Sequence, residues 1–406
     1  MKLLVVSQHY WPETFRINDV VHSLRQRGVD VRVLTGQPNY PEGQVFPGYS
    51  GWSTAQSTHD GTPVYRVPLV PRGKGGALRL ILNYLSFIAS ASVCGTWMLR
   101  RERIDVVFVY ATSPLLQAIA AIWIARVKRA QVVTWVQDLW PESLEATGFV
   151  RNRMVLRAMA SVVRWIYRHN DLLLVQSREF IKTTQAMSGG TPVVYHPNPA
   201  ELTFATPTQP EEKPALVLDA GFNVVFAGNL GTVQALDTLL NAAENLRTHR
   251  DIRLVLIGTG SRSDWCHQEV ARRDLHNVQL TGRFSPEQMP SILAQASALL
   301  VSLVRSRVMS QTIPSKIQAY LAAGRPVIAS MDGAGAEIVM AAGAGVACPA
   351  EDAQALAAAV LALRDATPDA RQRMGMAGRR YFEQHFDPDV LAARLIERFE
   401  ALTASR

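Results

Sequence analysis

Two series of short apolar runs, each alternating with helix-length segments and separated by a proline-rich stretch near residue 200, restrict what this chain can fold into. In the first half the runs fall at residues 2–6, 30–34, 64–67, 104–110, 131–136, 172–175 and 193–195. Helical periodicity occupies 17–26, 115–128 and 153–169. Apolar runs rich in Val, Ile and Leu suit strands covered on both faces, and helix-length connections let such strands pair in parallel. The second half repeats the pattern at 223–227, 253–257, 278–280, 298–302, 326–329 and 345–348. Between the halves, Pro197, Pro199, Pro207, Pro210 and Pro214, with Glu211-Glu-Lys213, lack apolar periodicity and read as an interdomain linker. The expected class is therefore α/β, with two Rossmann-like doubly wound domains. A chain of 406 residues exceeds the size that one core serves. Ligands are expected beyond the carboxyl ends of the strands, in a crevice between the two domains.

Charge divides the halves further. Residues 1–200 carry 22 Lys and Arg against 12 Asp and Glu, whereas the rest carry 20 against 22. Such asymmetry points the first half at an anionic partner, whether phosphate-rich substrate or anionic lipid. Nucleic acid is not expected, because neither zinc-finger spacing nor basic blocks interleaved with aromatics occur. Cys94, Cys266 and Cys348 are far apart and fit a reducing cytoplasm, and the apolar run behind Met1 is too short for a signal peptide. No histidine spacing and no Asp-x-Asp suggests a metal site, so none is expected.

Three loops carry the candidate chemistry. After the strand at 223–227 comes Gly228-Asn-Leu-Gly231, with a helical pattern starting near Gln234. Glycines let backbone N–H groups approach a ligand, and a helix N-terminus favours an anion, so a diphosphate is the natural occupant. Pro314-Ser-Lys316 opens another helix of the same half, and Lys316 would bring a cation to the crevice. Gly258 and Arg283, each just after a strand of this half, complete the donor-binding set of Gly228, Asn229, Gly231, Gln234, Pro314, Ser315 and Lys316. In the first half, the strand 131–136 ends in Gln137-Asp-Leu-Trp-Pro-Glu142. Asp138 and Glu142 are the candidate catalytic carboxylates, able to orient a sugar hydroxyl or stabilise positive charge at an anomeric carbon. Glu142 equally fits an early-helix residue favoured by the dipole. Glu13, Arg16 and Asn39, in loops after the first two strands, are candidate acceptor or phosphate contacts.

Two segments invite a membrane. Residues 80–99 hold no charge and are followed by Arg100-Arg-Glu-Arg103, but Asn83, Ser86, Ser90, Ser92 and Thr96 favour a buried or interface-lying helix over a span. Residues 151–169 place Arg151, Arg153, Arg157, Arg164 and Arg168 among apolar positions with Trp165, the pattern of a basic amphipathic helix. Arg153, Arg157, Arg164 and Trp165 are the expected bilayer contacts.

Taken in order, Tyr10-Trp-Pro-Glu13, Gly36-Gln-Pro-Asn-Tyr-Pro-Glu-Gly43, Gln137-Asp-Leu-Trp-Pro-Glu-Ser143, Phe226-Ala-Gly-Asn-Leu-Gly231 and Pro314-Ser-Lys316 resemble the family 4 glycosyltransferases of GT-B fold. Within that family the chain is similar to bacterial surface-polysaccharide transferases of the colanic-acid and N-acetyl-fucosaminyl type. The resemblance implies an acceptor domain over 1–197, a linker over 198–222, a nucleotide-sugar domain over 223–385 and a final helix over 386–406 that crosses back to the first domain. It also implies retaining, metal-independent transfer from a nucleotide-diphosphate sugar, a UDP-sugar by default and of N-acetylated deoxy-amino type. There is no cofactor in that scheme. The implied acceptor is a polyprenyl-diphosphate-linked saccharide of polysaccharide, lipopolysaccharide or O-antigen synthesis, met by a peripheral enzyme on the inner face of the cell membrane. The chain departs from the family where Asn229 and Gln234 replace the usual Arg and Lys, and in the region of the family's paired Glu residues, where Thr312 and Ala319 stand. Those departures keep two alternatives open: a nucleotide-sugar 2-epimerase of the same fold, and a catalytically silent nucleotide-sugar-binding scaffold.

Overall fold

The computed structural model describes residues 1–73, 76–146, 152–205 and 215–404. The chain forms two compact units, one of Met1–Pro197 with Pro388–Arg406 and one of Asn198–Asp387.

The first unit is built on strands β1 (Lys2–Val6), β2 (Asp30–Gly36), β3 (Ala55–His59), β4 (Thr62–Val67), β5 (Val106–Ala111), β6 (Gln131–Val136), β7 (Leu172–Val175) and β8 (Val193–Tyr195). They lie in the order β3-β4-β2-β1-β5-β6-β7-β8, parallel throughout except for the β3–β4 pair. Strand β1 shows why the sheet must be covered twice. Leu3 and Val5 enter one core and Leu4 and Val6 the other, and all four are inaccessible to water. The sequence reading missed β3. Its residues Ala55-Gln-Ser-Thr-His59 are polar and almost all exposed, as an edge strand permits, so no apolar run announces it. Its turn is legible in retrospect: Asp60 and Gly61 both have positive φ (46° and 69°), as a tight hairpin requires.

The second unit is a six-stranded parallel sheet of β9 (Phe222–Ala227), β10 (Ile252–Ile257), β11 (Val278–Gly282), β12 (Ala298–Ser302), β13 (Val327–Ser330) and β14 (Gly345–Cys348). Their order is β11-β10-β9-β12-β13-β14. Each sheet therefore reverses its winding once, between β1 and β5 and between β9 and β12. In such sheets the loops at the reversal splay apart and leave a ligand site outside the carboxyl ends of the strands.

The described parts of the proline-rich stretch are not a free tether. The Ala200 amide donates to the Phe386 carbonyl at 3.1 Å, the turn Leu202–Ala205 packs near the helix Ser315–Ala322, and Leu216 and Leu218 cover the second unit's core. These residues belong to that unit because they bury apolar side chains in it. Pro207, Pro210, Pro214 and Glu211-Glu-Lys213 lie outside the described residues, as does Arg151.

The final helix, Pro388–Ala404, belongs to the first unit and packs beside Ile17–Gln26. Its Leu395 and Phe399 are buried, and the Phe399 ring lies 5.3 Å from that of Phe108 on β5. Arg398 reaches His196 Nδ1 at 3.0 Å and the Tyr195 carbonyl at 3.2 Å, tying the helix to the last strand.

Residues 80–99 form most of a helix that begins at Ala77 and ends at Met98, with one wide π turn at Ala91–Gly95. Leu78–Met98 is long and apolar enough to cross a membrane by length and composition. Here it lies along the first sheet instead, with Asn83, Phe87, Ala91 and Gly95 buried against it.

Truncating Phe399 should show that the last helix is integral to the first unit. Phe399→Ala leaves a large cavity and should cost about 3–5 kcal/mol. Intrinsic tryptophan emission follows mainly this unit, since Trp265 is the only tryptophan of the second. Its unfolding midpoint should fall in denaturant; an unchanged midpoint would show that the helix is dispensable.

Candidate functional site

At the carboxyl ends of β9, β10 and β11 three glycines stand side by side, and all three have positive φ: Gly228 (138°), Gly258 (137°) and Gly282 (75°). The Gly228 amide donates to the Ile257 carbonyl at 2.8 Å, and the Gly258 amide to the Gly282 carbonyl at 2.7 Å. A Cβ on Gly258 would lie 1.9 Å from the Gly228 carbonyl oxygen, so the close approach of the two loops demands glycine there. Gly258 is therefore a structural requirement of the cradle. Arg283 follows Gly282 and is exposed.

Lys316 sits in the first turn of the helix Ser315–Ala322, which Pro314 caps, with Ser315 exposed beside it. The lysine side chain crosses back over the β9 loop, where a Cβ on Gly228 would meet its Cε at 2.5 Å. Its Nζ donates to Gln234 Oε1 at 2.7 Å and lies 3.7 Å from the Phe226 ring centroid. Both partners are neutral. Burial without a compensating carboxylate pushes the amine down to about pKa 7. Gln234 thus explains itself: at this position it shares the amine, where the family's usual lysine would put a second cation. Gly231 has an ordinary φ of −109°, and Asn229 Nδ2 would lie 2.6 Å from a Cβ on it, so bulk at Gly231 displaces the Asn229 side chain.

Tyr320 supports this arrangement, and the sequence reading did not pick it out. Its hydroxyl accepts from the Ala227 amide at 2.8 Å and lies 3.3 Å from the Ala227 carbonyl, clamping the lysine-bearing helix under the end of β9. A buried Tyr with no apolar-period anomaly gives no signal in a sequence. The β12 loop joins in through the Val304 amide, which donates to the Val233 carbonyl at 3.0 Å.

In the first unit Asp138 follows β6. It is exposed, yet flanked closely enough by protein that desolvation raises its carboxyl above the ordinary value. The Tyr110 hydroxyl, at the end of neighbouring β5, is pushed up to about 12 by burial. The Arg16 charge opposes that shift and Asp138 adds to it. Arg16, Tyr110 and Asp138 therefore share one electrostatic neighbourhood at the carboxyl edge of the sheet. Tyr110 is a second residue that sequence reasoning missed. Glu142 starts the short helix Glu142–Ala146, is exposed, and adds its charge to the field at Tyr167.

Glu13 and Asn39, expected as acceptor or phosphate contacts, are engaged by the protein's own groups. Glu13 is buried: its Oε2 meets His9 Nδ1 at 2.9 Å and its Oε1 accepts the amides of Asn39 at 2.8 Å and Tyr40 at 2.7 Å. Asn39 is fully buried, donating to the Gln37 carbonyl at 3.0 Å and accepting the Arg72 amide at 3.2 Å. These two side chains hold the loops of β1 and β2 together and have little left to offer a ligand. Among the described residues no three His, Cys, Asp or Glu side chains gather where they could hold a metal ion.

Two doubly wound sheets, parallel except for the β3–β4 pair, each reverse their winding once, and the second bears a glycine cradle with the Lys316 amine at that edge. A family model for glycosyl transferase 4-like domains matches residues 14–199, and one for group 1 glycosyl transferases matches 221–365. The chain belongs to the family 4-type glycosyltransferases of GT-B fold. A glycosyl transferase of Escherichia coli (strain K12) named for colanic acid biosynthesis is 26% identical over 337 residues, 80% of this chain and 82% of that protein. Sucrose-phosphate synthase from Thermosynechococcus elongatus matches over 100% of both chains with a TM-score of 0.72 and 16% identity. The Anabaena protein HepE, solved in complex with UDP, matches over 99% of this chain and 100% of its own with a TM-score of 0.70 and 14% identity. At those identities the solved structures show the fold alone.

Lys316 makes a stability prediction. Its folded pKa lies below its unfolded value near 10.5, so between about pH 7 and 10 the unfolded chain binds more protons and stability rises with pH. Below pH 7 the folded protein bears the whole penalty. Lys316→Met should therefore stabilise the ligand-free protein by about 1–2 kcal/mol near pH 6, after discounting for partial exposure. The gain should shrink as pH rises from about 7 and be gone above about 10.5. Thermal unfolding across that range checks it, and a destabilised variant at pH 6 would contradict the assignment.

Proposed function

We propose that this glycosyltransferase moves a sugar from a nucleoside-diphosphate donor, a UDP-sugar, onto a polyprenyl-diphosphate-linked saccharide, with retention and without a metal. The observation that carries the donor half is the Lys316 amine held over the glycine cradle with no carboxylate beside it among the described residues. A diphosphate at this point would supply the missing negative charge and accept backbone amides of the Gly228–Gly231 loop. The HepE complex, which contains UDP, supports uridine as the base. The colanic-acid relative supports polysaccharide assembly, including lipopolysaccharide or O-antigen, as the setting. Asn229, Gln234, Arg283 and Ser315 complete the donor contacts in this reading.

In the transfer, the acceptor hydroxyl bonds to the anomeric carbon as the bond to the donor diphosphate breaks. The departing diphosphate takes the hydroxyl proton and Lys316 stabilises its growing charge. In this reading Asp138 serves to orient a hydroxyl of the transferred sugar and to offset positive charge at the anomeric carbon. Arg16 serves the acceptor's phosphate. Glu142 is the weaker of the two carboxylates in this reading, because its field falls on Tyr167 rather than on the Tyr110 neighbourhood.

A lipid-borne acceptor places the enzyme at the inner face of the cell membrane as a peripheral protein. Support comes from the helix Arg153–Arg168, capped by Asn152 Oδ1 accepting the Met154 amide at 2.8 Å. Arg153, Arg157, Arg164 and Trp165 are all exposed on it.

Melting-temperature shifts with a panel of nucleoside diphosphates test the donor, since only ligands that bind the folded state raise the midpoint. UDP should give the largest shift. Lys316→Ala and Gly231→Val should each weaken it by about 10- to 100-fold in Kd, the loss of a charge-assisted contact or of backbone approach. A panel without any shift would contradict the donor. Asp138→Asn should bind UDP like the wild type and lose about 100-fold or more in turnover with a lipid-linked acceptor. Full turnover would make Asp138 structural.

A further inference from the structure

Three of the helices that cover one face of the first sheet contain no Asp or Glu: Leu78–Met98, Ala118–Lys128 and Arg153–Arg168. The short helix Glu142–Ala146 on the same core carries Glu142 and Glu145, and the helices of the opposite face, Ile17–Gln26 and Pro388–Ala404, carry Asp19, Asp389, Glu397 and Glu400. We infer that the outer surface of the three carboxylate-free helices is a shallow bilayer-insertion surface, with the helix Leu78–Met98 lying in the plane of an anionic leaflet. The inference deepens the peripheral-membrane part of the proposed function: it adds apolar insertion by residues outside the basic helix.

The stripe Leu78, Leu82, Leu85, Val93 and Trp97 recurs every three to eight residues and is 44–71% exposed. Beyond the exposed Arg79, the Asn, Ser and Thr side chains of the same helix are bonded to the protein or to the helix's own backbone. Asn83 Nδ2 donates to the Val70 carbonyl at 2.6 Å, Ser90 Oγ to the Pro68 carbonyl at 2.6 Å, and Thr96 Oγ1 to the Ser92 carbonyl at 2.6 Å. What faces outward is therefore hydrocarbon. The neighbouring helix Ala118–Lys128 is fixed to this one by Lys128, whose Nζ donates to the Glu102 carbonyl at 3.0 Å, and it exposes Trp123 and Val127. The third helix exposes Met154 and Trp165 next to its arginines. Each of three adjacent helices thus presents one tryptophan, the side chain that settles at a bilayer interface.

Exposed apolar side chains gathered on adjacent helices mark an interaction surface. The charge around it selects the occupant. Arg79, Arg100 and the Arg153–Arg168 stripe rim the apolar positions, with the Arg100 guanidinium 4.0 Å above the Trp97 ring. A second copy would set cation against cation, whereas an anionic leaflet complements both the hydrocarbon and the charge. The helix cannot span while Asn83, Phe87, Ala91 and Gly95 remain packed on the sheet, so the fitting arrangement is in-plane.

The test uses the full-length protein with phosphatidylcholine vesicles containing phosphatidylglycerol, and the same vesicles brominated near the top of the acyl chains. Wild-type emission should shift to the blue and be quenched, and Trp97→Phe with Trp123→Phe should remove most of the quenching. Leu82→Glu with Val93→Glu should lower vesicle partitioning about tenfold or more while the melting temperature and UDP-induced shift stay unchanged. Salt-sensitive binding that survives the double glutamate change without quenching would end the insertion inference and leave electrostatic attachment standing. Vesicle binding that never occurs would overturn both. Dimerisation in solution abolished by the glutamate pair would assign the face to a second copy, and a protease-protected Leu78–Met98 in vesicles would show a spanning helix; either overturns the inference.

Discussion

A protonated amine held over an aromatic ring, with an amide oxygen as its hydrogen-bond acceptor, is costly to keep in a folded protein, and the second unit is organised around that contact. Phe226 precedes the glycine turn on β9, Gln234 follows it, and Lys316 arrives from a helix that is ninety residues away in sequence but fixed to the end of β9 by the Tyr320 hydroxyl. The winding reversal between β9 and β12 brings these pieces to one edge. Ligand-free, the lysine weakens the fold. With an anion in the cradle the same charge becomes binding energy. That exchange of stability for recognition is common where a site must bind a charged group and release it again.

The first unit solves a different problem. Its loops are long and rich in polar residues, and they are held by buried hydrogen bonds rather than by apolar packing. One carboxylate, Glu13, takes two backbone amides and a histidine, and buried Arg66 donates to the carbonyls of Gly36 and Trp11. On this fixed rim the exposed Asp138 stands near Arg16 and the Tyr110 hydroxyl. The rim residues are polar in sequence for structural reasons, and the exposed ones for chemical reasons.

That distinction explains what could be read from the chain. Apolar runs buried on both faces announced β1, β6, β7 and β12 at their observed bounds, because a covered strand leaves a strong apolar signal, and the partly covered β8 and β14 were also read at theirs. The edge strand Ala55–His59 gave none. Glycines after β9 and β10 were legible because their positive φ values admit little else. The buried hydrogen bonds of Glu13 and Asn39 were not legible, because a sequence does not distinguish a polar side chain facing a ligand from one satisfying buried backbone. Tyr110 and Tyr320 were missed because each acts through a hydroxyl on an otherwise ordinary buried ring. The helix Leu78–Met98 looked ambiguous in sequence, since only the fold reveals that Asn83 and Ser90 bond to the neighbouring loop while the exposed stripe is apolar.

The central claim is that the lowered amine of Lys316 meets the donor's diphosphate. Binding should then draw a proton onto the lysine whenever the pH lies above about 7. Isothermal titration of UDP at pH 8, in two buffers of different ionisation enthalpy, measures that proton directly. The account predicts uptake of most of one proton by the wild type and none by Lys316→Met. Equal heats in both buffers for the wild type, with UDP bound, would contradict it.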